Sequence, residues 1–375
     1  MGLALRCLWV ALYPARATSD AAIYLELAGK LAAGQPFASG AGIAYWPPGY
    51  PVFLAPFVRL FGANAATVIG INLLLFITAL WLLHRLAMRL GGRSVARVAT
   101  LIFALWPNLI ASTGIAAKEL LVIPLWLACL LVWLDRRAPP IWGASAAGLL
   151  LGATILVQPS LQLFPLVLVA HGLWHCGWSR AIARLAYLTL GMALVIGPWS
   201  YRNAQRLGRV VPIVTTGGVN LYIGNNPRAD GGYQERGEFD LSQLGELERD
   251  DTARRLAQQW ILQHPEDFAL LAIEKQIRFL GEDGTGVYET LKRGGEHAVL
   301  TYFVWKAVTT AFWLGLIALL FSVWLRGAPL DEDWMLLVLG VLYLYGLHSV
   351  FQSNSKFHEP LSGMLALLAG RSALR

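Results

Sequence analysis

The chain reads as an all-α polytopic membrane protein with a small α+β extracytoplasmic segment. Three observations predict this class. Of its 375 residues, 56% are hydrophobic and 14% charged, and the mean hydropathy is +0.53. A soluble domain carries roughly 25% charge. Apolar runs approaching the ~20 residues a helix needs to cross a bilayer recur along the sequence. Between them, arginines gather in short connections, and one long polar stretch, 201–298, interrupts the series.

The runs predict about ten transmembrane helices: 2–17, 64–84, 95–113, 119–135, 141–157, 160–176, 182–200, 299–325, 333–351 and 359–371. The first is short and contains Arg6. It lacks the charged leader region and small-residue cleavage site of a signal peptide, so it reads as a tilted span or one that starts upstream. Span five carries Gly143, Ala144, Ser145, Ala147, Gly148 and Gly152, small residues that allow close helix packing.

Arginine placement sets the orientation. Arg85, Arg89, Arg93 and Arg97 join spans two and three. Arg136 and Arg137, Arg180 and Arg184, Arg326, and finally Arg371 and Arg375 follow spans four, six, eight and ten. Those loops and both termini are predicted to be cytoplasmic. Residues 18–63, 201–298 and 352–358 then face the periplasm or exterior of a cytoplasmic (inner) membrane. The net charge of +7 is topological on this reading and predicts no nucleic-acid partner. Three parts follow: an N-terminal transmembrane module, 1–200, carrying the outer loop 18–63; an extracytoplasmic cap, 201–298; and a C-terminal transmembrane module, 299–375.

In the cap, Val210–Val214 reads as a β-like piece, followed by a Gly- and Asn-rich run to Pro227 and a turn at Asp230-Gly231-Gly232. Apolar residues at helical spacing predict a helix over Asp250–Gln263. A second helix begins at Pro265, with Glu266 and Asp267 in its first turn. Cys7, Cys129 and Cys176 have no metal-like spacing and predict no disulfide framework. His171 and His175, four apart near the cytoplasmic end of span six, read as interfacial histidines.

The most informative stretch is Thr18–Pro51. It places an acid, Asp20, after the first apolar run and ahead of the rigid sequence Tyr45-Trp46-Pro47-Pro48-Gly49-Tyr50-Pro51. A carboxylate at a membrane surface beside a stiff aromatic loop suits chemistry on a lipid-borne substrate. Asp20, Tyr24 one turn on, and the Trp-Pro-Pro-Gly-Tyr-Pro sequence resemble the bacterial protein-mannosyltransferase-like glycosyltransferases, family 39 and its aminoarabinose-transferase-like relatives. Further similarities follow in register: Lys118-Glu119, Gln158-Pro159, Pro198-Trp199-Ser200-Tyr201-Arg202-Asn203, the Gly218–Pro227 run, His264-Pro265, and Lys356-Phe357-His358-Glu359-Pro360. The likeness covers nearly the whole chain.

The resemblance implies a C-type glycosyltransferase fold and transfer of a sugar from a polyprenyl-monophosphate donor to an acceptor hydroxyl on lipid, glycan or protein. Two departures stand out. Asp20 is followed by Ala21, where the eukaryotic mannosyltransferases have a second acid, and Tyr45-Trp46 replaces the Glu-Lys of the aminoarabinose transferases. A divalent metal and the identity of the sugar are therefore left open.

Such a transfer needs a base for the acceptor hydroxyl and cations where the leaving phosphate gains charge. Asp20 is the candidate base, or else an N-cap with Ser19. Glu119 is the second candidate, paired with Lys118 near membrane depth. Arg202 and Lys356 are candidate phosphate ligands, or snorkelling residues. With Asp20 they are expected to converge on one outward cavity. Asn225 and Asn226 read as sugar contacts or turn formers. Trp46 reads as a stacking platform or an interfacial aromatic. His358 reads as a metal or Lys356-orienting residue, or as the polar end of a short span. Two other classes fit less well: a polysaccharide polymerase or ligase using a diphosphate-linked lipid, and a transporter, whose paired repeats this chain does not display.

Overall fold

A computed structural model of the chain describes residues 1–135, 139–233, 241–295, 297–325, 327 and 330–374. Arg136, Arg137, Arg326 and Arg375 of the predicted cytoplasmic loops lie outside the described residues. In chain order the helices are α1 (Gly2–Leu12), α2 (Ser19–Ala32), α3 (Gly49–Phe61), α4 (Ala65–Ala104), α5 (Pro107–Ala111), α6 (Glu119–Trp133), α7 (Pro140–Val157) and α8 (Phe164–Cys176). There follow α9 (Trp178–Leu207), α10 (Gly217–Gly224), α11 (Glu246–Gln263), α12 (Pro265–Leu280), α13 (Thr285–Tyr288), α14 (Val299–Leu325), α15 (Glu332–Val350) and α16 (Ser362–Ser372). Among the described residues there is no strand, only an isolated bridge between Ser39 and Gly42.

Four of these helices are long and apolar enough to cross a bilayer: α4, α9, the Val299–Ser322 part of α14, and α15. α1, α3, α6 and α7 are apolar but shorter. The predicted ten full-length spans are therefore not reproduced. The apolar runs 160–176 and 359–371 contain helices of only 13 and 11 residues, about 20 and 16 Å at 1.5 Å per residue, against a hydrocarbon core of about 30 Å.

The predicted spans 64–84 and 95–113 fall largely on α4. It is a hairpin rather than a rod. Gly92 leaves the helical region at φ 75 and ψ −167, a conformation open to glycine at no steric cost. Phe76 before it and Phe103 after it stack with centroids 6.3 Å apart. Arg6 of α1 joins the two arms, lying 3.6 Å over the Phe76 ring and donating to the Ala104 carbonyl at 2.9 Å. Between α7 and α9, Gly148 meets Leu188 and Gly191 backbone to backbone, as the small-residue pattern of span five predicts.

The α+β expectation for the cap is corrected: its described residues form helices and irregular connections, with no strand. The carbonyls of Val211, Pro212 and Ile213 have no strand partner; α9 side chains satisfy them instead. Asn203 Nδ2 donates to Val211 O at 3.0 Å, Trp199 Nε1 to Ile213 O at 2.6 Å, and Ser200 Oγ to Pro212 O at 2.8 Å. Backbone groups need partners, not a particular element. The Gly-rich run is mostly the helix α10, whose first amides at Gly218 and Val219 are accepted by Asp250 Oδ1 at 2.6 and 3.3 Å. The two predicted cap helices are α11, which begins four residues earlier than expected, and α12, with Pro265 at its start.

Candidate active site

α2 starts on a strained residue. Ser19 takes φ 50, a left-handed conformation that costs a non-glycine residue roughly 1–2 kcal/mol. The N-cap is Thr18, and no side chain caps the helix. Asp20 therefore lies in the first turn, where the helix dipole favours an anion, with its carboxylate free to look elsewhere. It meets Lys356, from the short 3-10 turn Ser355–Leu361, whose Nζ donates to Asp20 Oδ2 at 2.8 Å. Asn354 shapes that turn by accepting from the Lys356 amide at 3.0 Å.

Glu119, the first residue of α6, approaches the same ammonium from the protein side, with Oε1 3.7 Å from Lys356 Nζ. The two carboxylates differ in access: the Asp20 side chain is 41% exposed and that of Glu119 only 2%. Glu119 Oε2 is buried without a hydrogen-bond partner. Burial opposes ionisation of Asp20, but Lys356, by charge and hydrogen bond, outweighs it, with help from Lys118 and Arg293. The carboxyl is held below its ordinary range.

Tyr24, buried one turn after Asp20, anchors the aromatic side. Its ring meets Trp46 and Tyr50 edge-on at 5.7 and 5.4 Å. Trp46 is half-buried, with an indole N–H that finds no partner. The Pro-Pro-Gly turn delivers this pair because Gly49 sits against the backbone of Leu156 and Val157, where a Cβ would collide. Asp20, Tyr24, Lys118, Glu119 and Lys356 thus share one site, edged by Trp46.

Other sequence candidates fall elsewhere. Arg202 does not join Lys356. Its guanidinium donates to Phe37 O and Ile43 O, both at 2.6 Å, and to Asn203 Oδ1 at 2.9 Å, and it lies 4.6 Å over the Trp199 ring. These contacts fasten the loop between α2 and α3. Asn225 is fully buried. Its amide donates to Leu221 O and Val350 O, and its oxygen accepts from Lys275 Nζ, all at 2.8 Å. Asn226 donates to Tyr222 O at 2.8 Å and accepts from the Arg228 amide at 2.9 Å. Both asparagines bond to backbone of their own segment, and Asn225 also ties it to α15 and Lys275.

His358 is fully buried behind the site. Its Nδ1 lies 2.7 Å from Phe279 O, its Nε2 lies 3.1 Å from Asp283 Oδ1, and its ring stacks on Trp313 at 4.0 Å. Asp283 also accepts from Trp106 Nε1 at 2.6 Å, while Glu359 accepts from Asn108 at 2.8 Å. This network braces the turn that carries Lys356, so His358 supports that residue from within the protein.

The donor set does not fit a metal. Lys356 Nζ holds the space between the two carboxylates, and among the described residues no three His, Cys, Asp or Glu side chains are grouped to bind an ion.

Sequence reading missed two groups. Arg293 ends the π-helical turn Glu289–Arg293, pairs with Glu289 at 2.9 Å, and adds positive charge beside Asp20. A signal existed: Lys292-Arg293 is a basic pair on the side that the arginine bias assigns to the exterior, against the usual tendency. The second group is Glu246 and Arg249 of α11. Glu246 accepts from the Ile43 and Ala44 amides at 2.7 and 2.8 Å and from Thr215 Oγ1 at 2.7 Å, and Arg249 donates to Ala41 O. Nothing local marks these residues in a helix rich in charge.

No protein-family model and no curated protein matches the sequence. Solved structures do. ArnT from Cupriavidus metallidurans bound to undecaprenyl phosphate superposes with a TM-score of 0.61 at 16% identity, covering all of this chain and 59% of that one. The oligosaccharyltransferase of Archaeoglobus fulgidus in its apo form gives 0.57 at 12%, covering 98% of this chain and 48% of that one. AglB from the same organism, in complex with an inhibitory peptide and a dolichol-phosphate, gives 0.55 at 11%, covering 98% and 49%. The chain thus spans about half to three-fifths of these proteins. Across that shared part, the chain has the C-type glycosyltransferase fold.

Proposed function

We propose that this protein is an integral-membrane glycosyltransferase that moves a sugar from a polyprenyl-monophosphate donor to an acceptor hydroxyl outside the cytoplasmic membrane. The observation that carries the reading is Lys356 held between Asp20 and Glu119, with one carboxylate open and the other buried. An exposed carboxylate beside an exchangeable ammonium has the two functions that transfer from a phosphate ester requires. The solved structures of similar fold, which hold undecaprenyl phosphate or dolichol-phosphate, support a lipid phosphate as the donor class.

In this mechanism the donor phosphate takes Lys356 from Asp20. Lys118 and Arg293 add positive charge around it, and Glu119 keeps Lys356 seated from below. Freed from its partner, Asp20 accepts the proton of the acceptor hydroxyl. The hydroxyl oxygen forms a bond to the anomeric carbon. The bond from that carbon to the phosphate oxygen breaks, and the polyprenyl phosphate leaves with the electron pair, its charge met by the cations. Trp46, with its half-buried ring, offers the sugar or the prenyl chain a face. No step needs a metal.

The test is release of polyprenyl phosphate by the purified protein in nanodiscs, supplied with a panel of polyprenyl-monophosphate sugars and acceptor lipids, glycans and peptides. Turnover of at least one monophosphate donor is expected. Turnover of diphosphate-linked donors alone would replace the reading with a polymerase or ligase. No turnover of either, together with no binding of polyprenyl phosphate, would overturn it.

A further inference from the structure

The cap contains a helix that is amphipathic twice over. α12 buries Leu271, Lys275 and Phe279 against the protein. A second sector carries Asp267, Glu274 and Arg278, all exposed. A third sector is apolar and uncovered: Leu270, Ile273 and Ile277 are 63%, 59% and 64% exposed. At 100° per residue these three fall within one narrow stripe, about 10 Å long. A soluble cap would have no reason to segregate its exposed surface in this way.

Its neighbours identify what covers the stripe. α12 packs along the end of α15, one of the helices long and apolar enough to cross a bilayer. Gln276 donates to Tyr345 O at 2.8 Å and to Ser349 Oγ at 2.6 Å, and Lys275 donates to Val350 O at 3.0 Å. Phe279 lies edge-on to Tyr345 at 6.1 Å. Lys275 thus meets the last residue of α15, while Gln276 and Phe279 reach back to Tyr345, with Phe279 also stacked on His348 at 5.8 Å. The C-terminal half of α12 packs against the last turns of a helix long and apolar enough to cross a bilayer, and Ile273 and Ile277 of the stripe lie on that half. The two acids of its first turn, Glu266 and Asp267, sit at the other end. Leu342 and Val350 on α15 are themselves exposed.

We infer that α12 is an interfacial helix, its Leu270–Ile277 stripe seated in the outer leaflet at the headgroup–acyl boundary. Such helices bury their apolar face to a depth of about 5–10 Å. The inference does not depend on glycosyl transfer. It has a consequence for the site: the inserted end supplies the Phe279 carbonyl to His358 and the Leu280 carbonyl to Trp313 Nε1 at 2.7 Å. The lipid surface thereby helps to place the turn that carries Lys356.

The test uses the full chain in nanodiscs, with Cys7 and Cys176 replaced by Ser. Single spin labels are introduced by Ile273→Cys, Ile277→Cys, Asp267→Cys and Glu274→Cys. Collision with dissolved oxygen should dominate at the first two positions, with loss of collision with a water-soluble nickel chelate. The chelate should dominate at Asp267→Cys and Glu274→Cys. Free access of the chelate to Ile273→Cys and Ile277→Cys would overturn the inference. Shielding of both from oxygen and chelate would also overturn it, because a protein surface would then cover the stripe. The unaltered chain gives an independent check. A diazirine carried on a lipid acyl chain should label residues within 270–277, and absence of label there would equally overturn the assignment.

Discussion

Two regions of the molecule use charge in opposite ways. In the loop region, around residues 37–44, charged side chains end on backbone: Arg202 on the Phe37 and Ile43 carbonyls, Arg249 on Ala41, and Glu246 on the Ile43 and Ala44 amides. In the cleft, charges end on each other: Lys356 on Asp20 and Glu119, and Arg293 on Glu289. A guanidinium that satisfies carbonyls is fixed in place, because leaving would orphan them. An ammonium shared between two carboxylates can exchange one of them for a ligand's anion. The first arrangement builds a wall and the second builds a site.

The largest effect that would break this contrast belongs to Asp20. Asp20→Asn keeps the shape and most of the polarity of the side chain but cannot take a proton. Transfer should fall by roughly 10²–10⁴-fold, the usual contribution of a general base. Donor binding should be retained, and thermal stability should fall only modestly: the ion pair with Lys356 is weakened, but the Asp20 side chain is partly exposed and no helix cap is lost. Near-normal turnover in a steady-state assay would move the base to Glu119, despite its burial.

Lys356 comes next, and one variant is not enough to test it. Lys356→Ala removes a charge-assisted phosphate contact, worth roughly 1.5–3 kcal/mol, or about one to two decades in affinity. It also leaves Glu119 as a buried, unpaired carboxylate, which is strongly destabilising. Lys356→Ala combined with Glu119→Gln should recover the melting temperature without recovering affinity for polyprenyl phosphate. Recovery of both would make Lys356 a structural ion-pair partner and erase the distinction between the two regions.

The contrast itself was only half legible in the sequence. The membrane class, the hairpin of spans two and three and the two cap helices follow from apolar run length and helical spacing, which are local properties. Asp20, Lys118, Glu119 and Lys356 stand out in the sequence because they sit at the ends of apolar runs and within the stretches that resemble the glycosyltransferase family, and the fold brings them close together. Arg202 satisfies the same criterion and lies elsewhere. Sequence position cannot distinguish a cation that meets a carboxylate 336 residues away from one that meets a carbonyl 159 residues away. The β-like piece Val210–Val214 misled for a related reason. Its composition suits a strand, but Asn203, Trp199 and Ser200 reach its carbonyls first.

Arg202 should therefore behave as a wall residue. Arg202→Ala strips two carbonyls of a charged donor and should cost on the order of 1–3 kcal/mol, read as a lower melting temperature. Amide exchange should rise across residues 37–45, while polyprenyl-phosphate affinity, measured below the new transition, stays within a few-fold. Glu246→Gln should do the same more mildly, because a neutral amide still offers one acceptor oxygen to Ile43 or Ala44. A selective loss of lipid-phosphate affinity in Arg202→Ala, with loop exchange unchanged, would return Arg202 to the site.

The smallest effect sharpens what makes the wall strong. Arg209, just past α9, holds Asp251 of α11 in a two-pronged contact at 2.5 and 2.8 Å, and both side chains are about half exposed. Its geometry is as good as that of Arg202, but water competes for every atom. The hydrogen bond from Arg209, aided by its charge, holds the Asp251 carboxyl below its ordinary range against a small opposing effect of burial. A depressed carboxyl contributes stability above its unfolded-state pKa and loses it as pH falls through the folded-state value. Asp251→Asn should thus cost no more than about 1 kcal/mol near pH 7, by chemical or thermal unfolding. That difference should shrink in high salt and vanish in acid once Asp251 is protonated in both states. A loss as large as that of Arg202→Ala, persisting in salt, would show that geometry rather than exclusion of water is what gives the wall its strength.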